Sequence, residues 1–140
     1  MKNLLLPILL LALIAGFGCK NLFQEKSIVG KWKMVKSYDS NKGKWEEAKD
    51  PEYILEFLPD GRFSDNLLTK LEQGSTYKVD NSVNPKQIIF MHKGNKEPSI
   101  FIYKFEGERL IMKAPNAAKY GVAKDFSFEP NFGIIEFEKK

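Results

Sequence analysis

From Gly30 onward, apolar and polar residues alternate along most of the chain in short runs broken by Gly, Pro, Asn and Asp, a period of two that predicts strands. Gly30 to Tyr38 puts Trp32 and Met34 on one face and Lys31 and Lys33 on the other, as a strand with one wet side requires. Asp39 to Asp50 reads as a polar connection. Glu52 to Leu58 alternates through Tyr53, Leu55 and Phe57, and Pro59-Asp60-Gly61 turns it back into Arg62-Phe63-Ser64. Ser64 to Gly74 has Leu67, Leu68 and Leu71 at helical spacing, yet continuation of the meander favours strand followed by loop. Further strands are predicted at Ser75 to Asp80, Gln87 to His92, Ile100 to Phe105, Arg109 to Lys113, Phe126 to Phe128 and Ile134 to Glu138. Gly107 supplies the turn between two of these runs, and Ala114 to Asp125 is the longest connection. The expected fold is all-β, an antiparallel up-and-down barrel or curved meander of about eight strands. Such a barrel is either filled by side chains or holds one small ligand.

One face of these strands gathers Trp32, Tyr53, Phe57, Phe63, Tyr77, Phe90, Tyr103 and Phe105, the expected core and the candidate wall of an apolar pocket. Buried tyrosine hydroxyls need partners, so Tyr53, Tyr77 and Tyr103 are candidate orienting groups. The opposite face carries Val35, Ile54, Leu58, Ile89, Met91, Ile102, Ile111 and Ile134, too apolar to be left wholly wet. The Ala114 to Asp125 loop is the expected cover; the amino-terminal turn or a partner protein are the alternatives.

Composition fits this picture. The 140 residues suit one domain, and eleven Phe, five Tyr and two Trp favour strands. The net charge of +4 is mild and its lysines are dispersed, so no nucleic-acid partner is expected. With one cysteine there is no intramolecular disulfide, and with one histidine, His92, there is neither a paired-histidine metal site nor a triad. Asp39, Asn41 and Gly43 are misplaced for a calcium loop, which would need its glycine at the sixth position and a glutamate at the twelfth, where Asp50 stands. Asp60, Asp65 and Glu72 are the available carboxylates, with no spacing that fixes two across a cleft. No catalytic residue, metal or cofactor is therefore assigned, and the chain reads as a non-enzyme. His92 shares parity with Ile88 and Phe90 and joins the candidate ligand-binding set of Trp32, Tyr53, Phe57, Tyr77, Phe90, His92, Tyr103 and Phe105.

The amino terminus reads as an address. Lys2 precedes an apolar run from Leu4 to Gly18; its roughly 15 residues would rise about 22 Å as a helix, short of a hydrocarbon core of about 30 Å. This is the pattern of a secretory signal. The ending Ala15-Gly16-Phe17-Gly18-Cys19 resembles the lipobox of bacterial lipoproteins, which implies cleavage after residue 18 and acylation of Cys19. The expected organisation is a signal peptide over 1–18, a lipidated cysteine and tether over 19–27, and a barrel over 28–140. The membrane would then be a partner through Cys19, with the protein in the cell envelope, on the outer membrane and facing the periplasm or the cell surface.

Gly30-Lys31-Trp32 is similar to the G-x-W signature of lipocalins, and the stretches Tyr77 to Asp80, Asn84 to Ile88 and Ile102 to Leu110 resemble the uncharacterised lipocalin-like domains of bacterial secreted proteins and lipoproteins, including a planctomycete type. The resemblance implies a lipocalin-like barrel and no established activity. Lipocalins place an arginine from the last strand over the signature tryptophan; here Lys139, on the face of Ile135 and Phe137, is the expected substitute. The function expected is binding of a small apolar or amphipathic molecule drawn from the nearby membrane. The alternative is a filled barrel that docks another envelope protein.

Overall fold

The computed structural model describes residues 25–49, 51–66 and 74–140. The strands are β1 (Gly30–Asp39), β2 (Lys44–Glu47), β3 (Ile54–Phe57), β4 (Phe63–Asp65), β5 (Thr76–Asp80), β6 (Gln87–Met91), β7 (Ser99–Glu106), β8 (Arg109–Pro115) and β9 (Phe132–Lys139). All named pairings are antiparallel. Apart from β2 and the step from β4 to β5, each strand pairs with the next in the chain, and β9 returns to pair with β1, so the path is an up-and-down, nearly closed barrel. The seam lies between β4 and β5, where the described residues contribute one bridge, Arg62 to Thr76. Beside it the Tyr77 amide donates to the Gly61 carbonyl at 2.7 Å.

Turn chemistry explains the tight register. The Gly61 amide closes on the Leu58 carbonyl at 3.1 Å, and Gly61 takes a φ of 84° that a side chain would resist. The Asp60 carboxylate accepts from the Arg62 amide at 3.1 Å and from its Nε at 2.7 Å. The β7–β8 hairpin turns through Gly107 and Glu108 between the paired residues Glu106 and Arg109, as its sequence predicts.

Three departures from the sequence pattern are instructive. The supposed polar connection after β1 folds as a hairpin, β2, whose Trp45 sits opposite Tyr38 with ring centroids 5.6 Å apart. Strand β1 is shared: Gly30–Lys33 pairs with β3 and Lys36–Asp39 with β2. A register shift against β9 between Met34 and Lys36 marks a bulge, which reverses which side chains point inward; Ser37, not Lys36 or Tyr38, pairs with inward-facing Ile135. The third departure is Phe126 to Phe128, which forms no strand. It belongs to the connection between β8 and β9, which also holds a short 3-10 turn at Ala118–Tyr120.

That connection covers part of the outer face. Ala123 is buried against Ile102 and Phe132, with Phe126 packed alongside, and Ile111 and Ile134 are also buried. Lys113, on the same outer face, is fully buried, unlike the solvated lysines its sequence context suggests. Its ammonium donates to the carbonyls of Asp125 at 2.9 Å and Ser127 at 2.7 Å and to Glu129 Oε1 at 2.6 Å, matching its three protons with three acceptors. The pairing satisfies a charge that would otherwise be costly to bury. Met91, by contrast, stays exposed.

Candidate functional site

The barrel interior divides into a packed floor and an apolar cup. The floor is built at the end where β1, β6 and β8 begin and β7 and β9 finish. Trp32 lies 5.9 Å from Phe105, Phe105 lies 6.0 Å from Tyr103, and Phe57 meets Tyr77 edge-on at 4.8 Å. Ile88 and Leu110, the latter opposite Phe105, pack in the same cluster with no exposed surface. Residues 25–29 close this end. Ile28 is buried in the core and its carbonyl accepts from Trp32 Nε1 at 2.6 Å, while Lys26 binds Glu108 and Lys86 pairs with Glu25.

The two floor tyrosines have intramolecular partners. Tyr77 donates to the Leu58 carbonyl at 2.8 Å and Tyr103 to Asn81 Oδ1 at 2.7 Å. Burial, with Glu25 as a lesser contributor, pushes the Tyr103 hydroxyl up to about 12. Burial, then the charge of Asp60, raises Tyr77.

Toward the other end the described residues leave a cavity of about 370 Å³, within the size range of small-molecule sites. Met34, Leu55, Phe63, Phe90 and Phe101 line it from five strands, and Met112, Ile135 and Phe137 complete the apolar wall. Three polar side chains share this lining: Tyr53, Asp65 and His92. The Tyr53 hydroxyl donates to Asp65 Oδ2 at 3.0 Å. The His92 ring stands edge-on to Phe63, with centroids 5.5 Å apart, and stacks toward Phe90 at 6.4 Å. This gives an amphiphile an apolar wall for its body and polar atoms for one end.

Of the residues the sequence puts forward as ligand-binding, Tyr53, Phe90 and His92 meet at this cavity, whereas Trp32, Phe57, Tyr77, Tyr103 and Phe105 form the floor. Cys19, the expected lipidation site, lies outside the described residues, as do Leu67, Leu68 and Leu71. Asp65 was legible only as an unplaced carboxylate. Its position comes from β4 pairing with β3, which brings it opposite Leu55. Phe101 and Met112 share the inward parity of Tyr103 and Leu110, so period two alone could have found them.

Comparison of the chain with family models, with curated proteins and with solved structures returns no match. Its class is accordingly defined by its own geometry: a small antiparallel up-and-down β-barrel, packed at one end and holding an apolar cavity toward the other.

Proposed function

We propose that this protein is a lipid-anchored, non-catalytic binding protein of the cell envelope, with a lipocalin-like barrel that holds one small apolar or amphipathic molecule. The observation that carries the binding role is the cavity of about 370 Å³, with eight apolar and three polar side chains among its described lining residues. Enclosure of an apolar body by such a wall contributes roughly 25 cal/mol per Å² of surface removed from water. The lipocalin-like assignment draws support from the meander topology and from Lys139, whose Nζ sits 4.5 Å from the centre of the Trp32 ring. The anchor rests on the resemblance around Cys19, and acylation there would give stable membrane attachment.

Native mass spectrometry of the purified protein, before and after organic extraction, tests the binding role. A discrete added mass that leaves on extraction supports it. A bare protein that also fails to take up apolar dye counts against it and favours the docking alternative. Detergent partitioning of Cys19→Ser tests the anchor: the variant should move to the aqueous phase or remain unprocessed, and unchanged partitioning would remove the anchor from the proposal.

A further inference from the structure

The β8–β9 connection leaves and rejoins the barrel at one point. Pro115 pairs with Phe132 at the end of the two strands, and the Asn116 amide donates to the Asn131 carbonyl at 2.7 Å. Residues 116–131 are thus a loop with a closed neck, an Ω-loop in outline, and they can lift from the sheet without breaking a strand pair. Little apolar burial opposes that movement. Within 116–131 Ala123 is the one buried residue; Phe126 is partly covered, with the Lys104 ammonium 4.6 Å from its ring, and Phe128 rests on Tyr38 while remaining 61% exposed.

Lys113 holds the loop down. On the outer face it stands between Ile102 on β7 and Ile134 on β9, and the three acceptors of its ammonium all belong to the loop: Asp125, Ser127 and Glu129. They alternate along one stretch of chain, so withdrawal of a single ammonium releases them together. With the loop lifted, water solvates that ammonium. Closure therefore exchanges one satisfied state for another, and its net stabilisation is small. The barrel interior differs, since Phe57, Leu110 and Phe137 are large side chains buried completely.

We infer that residues 116–131 are a strap that opens and closes as one unit over a standing barrel, with Lys113 as its latch and Ile102 and Phe132 as the apolar surface it uncovers. The device is independent of the cup, because Met112 and Ile135, the neighbours of Lys113 and Ile134 that line the cavity, point to the other face of the same strands.

The test is thiol labelling by iodoacetamide of the full chain carrying Cys19→Ser, with one cysteine introduced at a time. Ala123→Cys reports from the strap, Ile102→Cys from the sheet beneath it and Leu110→Cys from the barrel interior. Each rate is divided by that of the same chain unfolded in urea, which gives the opening equilibrium at that position. The expected result is one shared opening constant at positions 102 and 123, about a hundredfold or more above that at 110 and less dependent on urea, as local opening is beside global unfolding. Lys113→Met should raise labelling at 102 and 123 by the same factor, about tenfold or more. Labelling at 102 and 123 no faster than at 110 would overturn the strap, because the cover would then leave only when the barrel unfolds. Position 123 far ahead of 102 would overturn movement as a unit. Equal labelling with and without Lys113→Met would overturn the latch. The chains that keep Lys113 decide the first two points even if the Met variant does not fold.

Discussion

Lys139, the last residue of β9, places its ammonium 4.5 Å from the ring centre of Trp32 on β1 and donates from the same nitrogen to the Val29 carbonyl at 2.6 Å. The contact ties the first and last strands of the barrel, and Gly30 makes room for it. A Cβ on Gly30 would come within 2.5 Å of Lys139 Nζ, and the residue's φ of 124° is one that side chains rarely adopt. Gly30→Ala should therefore cost roughly 1–3 kcal/mol, from backbone strain and displacement of the lysine. Lys139→Met keeps the apolar stem and should cost roughly 1–2 kcal/mol. Urea unfolding followed by tryptophan fluorescence measures both. The double variant should cost less than the sum, since both changes disturb one contact; strict additivity would mean that Gly30 and Lys139 act independently.

Lys113 should behave as the fastening of the β8–β9 connection. In Lys113→Met the side chain no longer reaches Asp125, Ser127 and Glu129, at a cost of roughly 1–3 kcal/mol. The local consequence is the more telling one, because Ile102 and Phe132 lose their cover. Limited proteolysis should cut within 116–131 well before the rest of the barrel, and an equal cleavage pattern in parent and variant would contradict the fastening.

The Tyr103 hydroxyl makes the barrel sensitive to alkali. Tyrosine in an unfolded chain ionises near about 10, and burial raises Tyr103 to about 12. Between these values the folded state keeps a proton that the unfolded state has lost. The stabilisation is thus complete below pH about 10 and disappears as the pH rises through about 12. Tyr103→Phe gives up the Asn81 bond, about 1 kcal/mol at neutral pH, but should flatten the decline of stability above pH 10. A decline as steep as that of the parent would place the alkaline sensitivity elsewhere.

Occupancy of the cup can be blocked from its wall. Ile135→Trp puts a large ring into the cavity and should abolish dye uptake while the far-ultraviolet dichroism remains that of a strand protein. Phe128→Ser is the matching control, because Phe128 is 61% exposed and packs on Tyr38 and Trp45 outside the barrel; uptake should be unchanged. Loss of uptake in the control alone would move the dye site to that outer aromatic cluster.

The inward and outward faces were legible because strands curved around one core keep period two wherever no bulge intervenes. Trp32, Phe57, Tyr77, Phe90 and Tyr103 were all expected inside, and all are buried. The cover over Ile102 and Ile111 was legible from the excess of apolar residues on the other face. What escaped was what alternation does not encode. The bulge after Met34 sends Tyr38 outward to meet Trp45, converting a polar-looking connection into a hairpin. Division of the interior into floor and cup depends on stagger between strands that are distant in sequence, so Phe105 and Phe101 look alike as letters although one packs beneath Trp32 and the other lines the cavity. Lys113 was hidden for a similar reason: its partners lie 12 to 16 residues away in an irregular segment.

Residues 25–29 seal the packed end of the barrel, so the chain joins the domain at the floor and the cup lies toward the opposite pole. Strand β1 runs for 10 residues between them, about 33 Å along the strand and roughly 25 Å of height at the usual barrel tilt. Were Cys19 the point of attachment, that attachment would enter the barrel by its sealed end, and the cup would lie at the pole farthest from the entry.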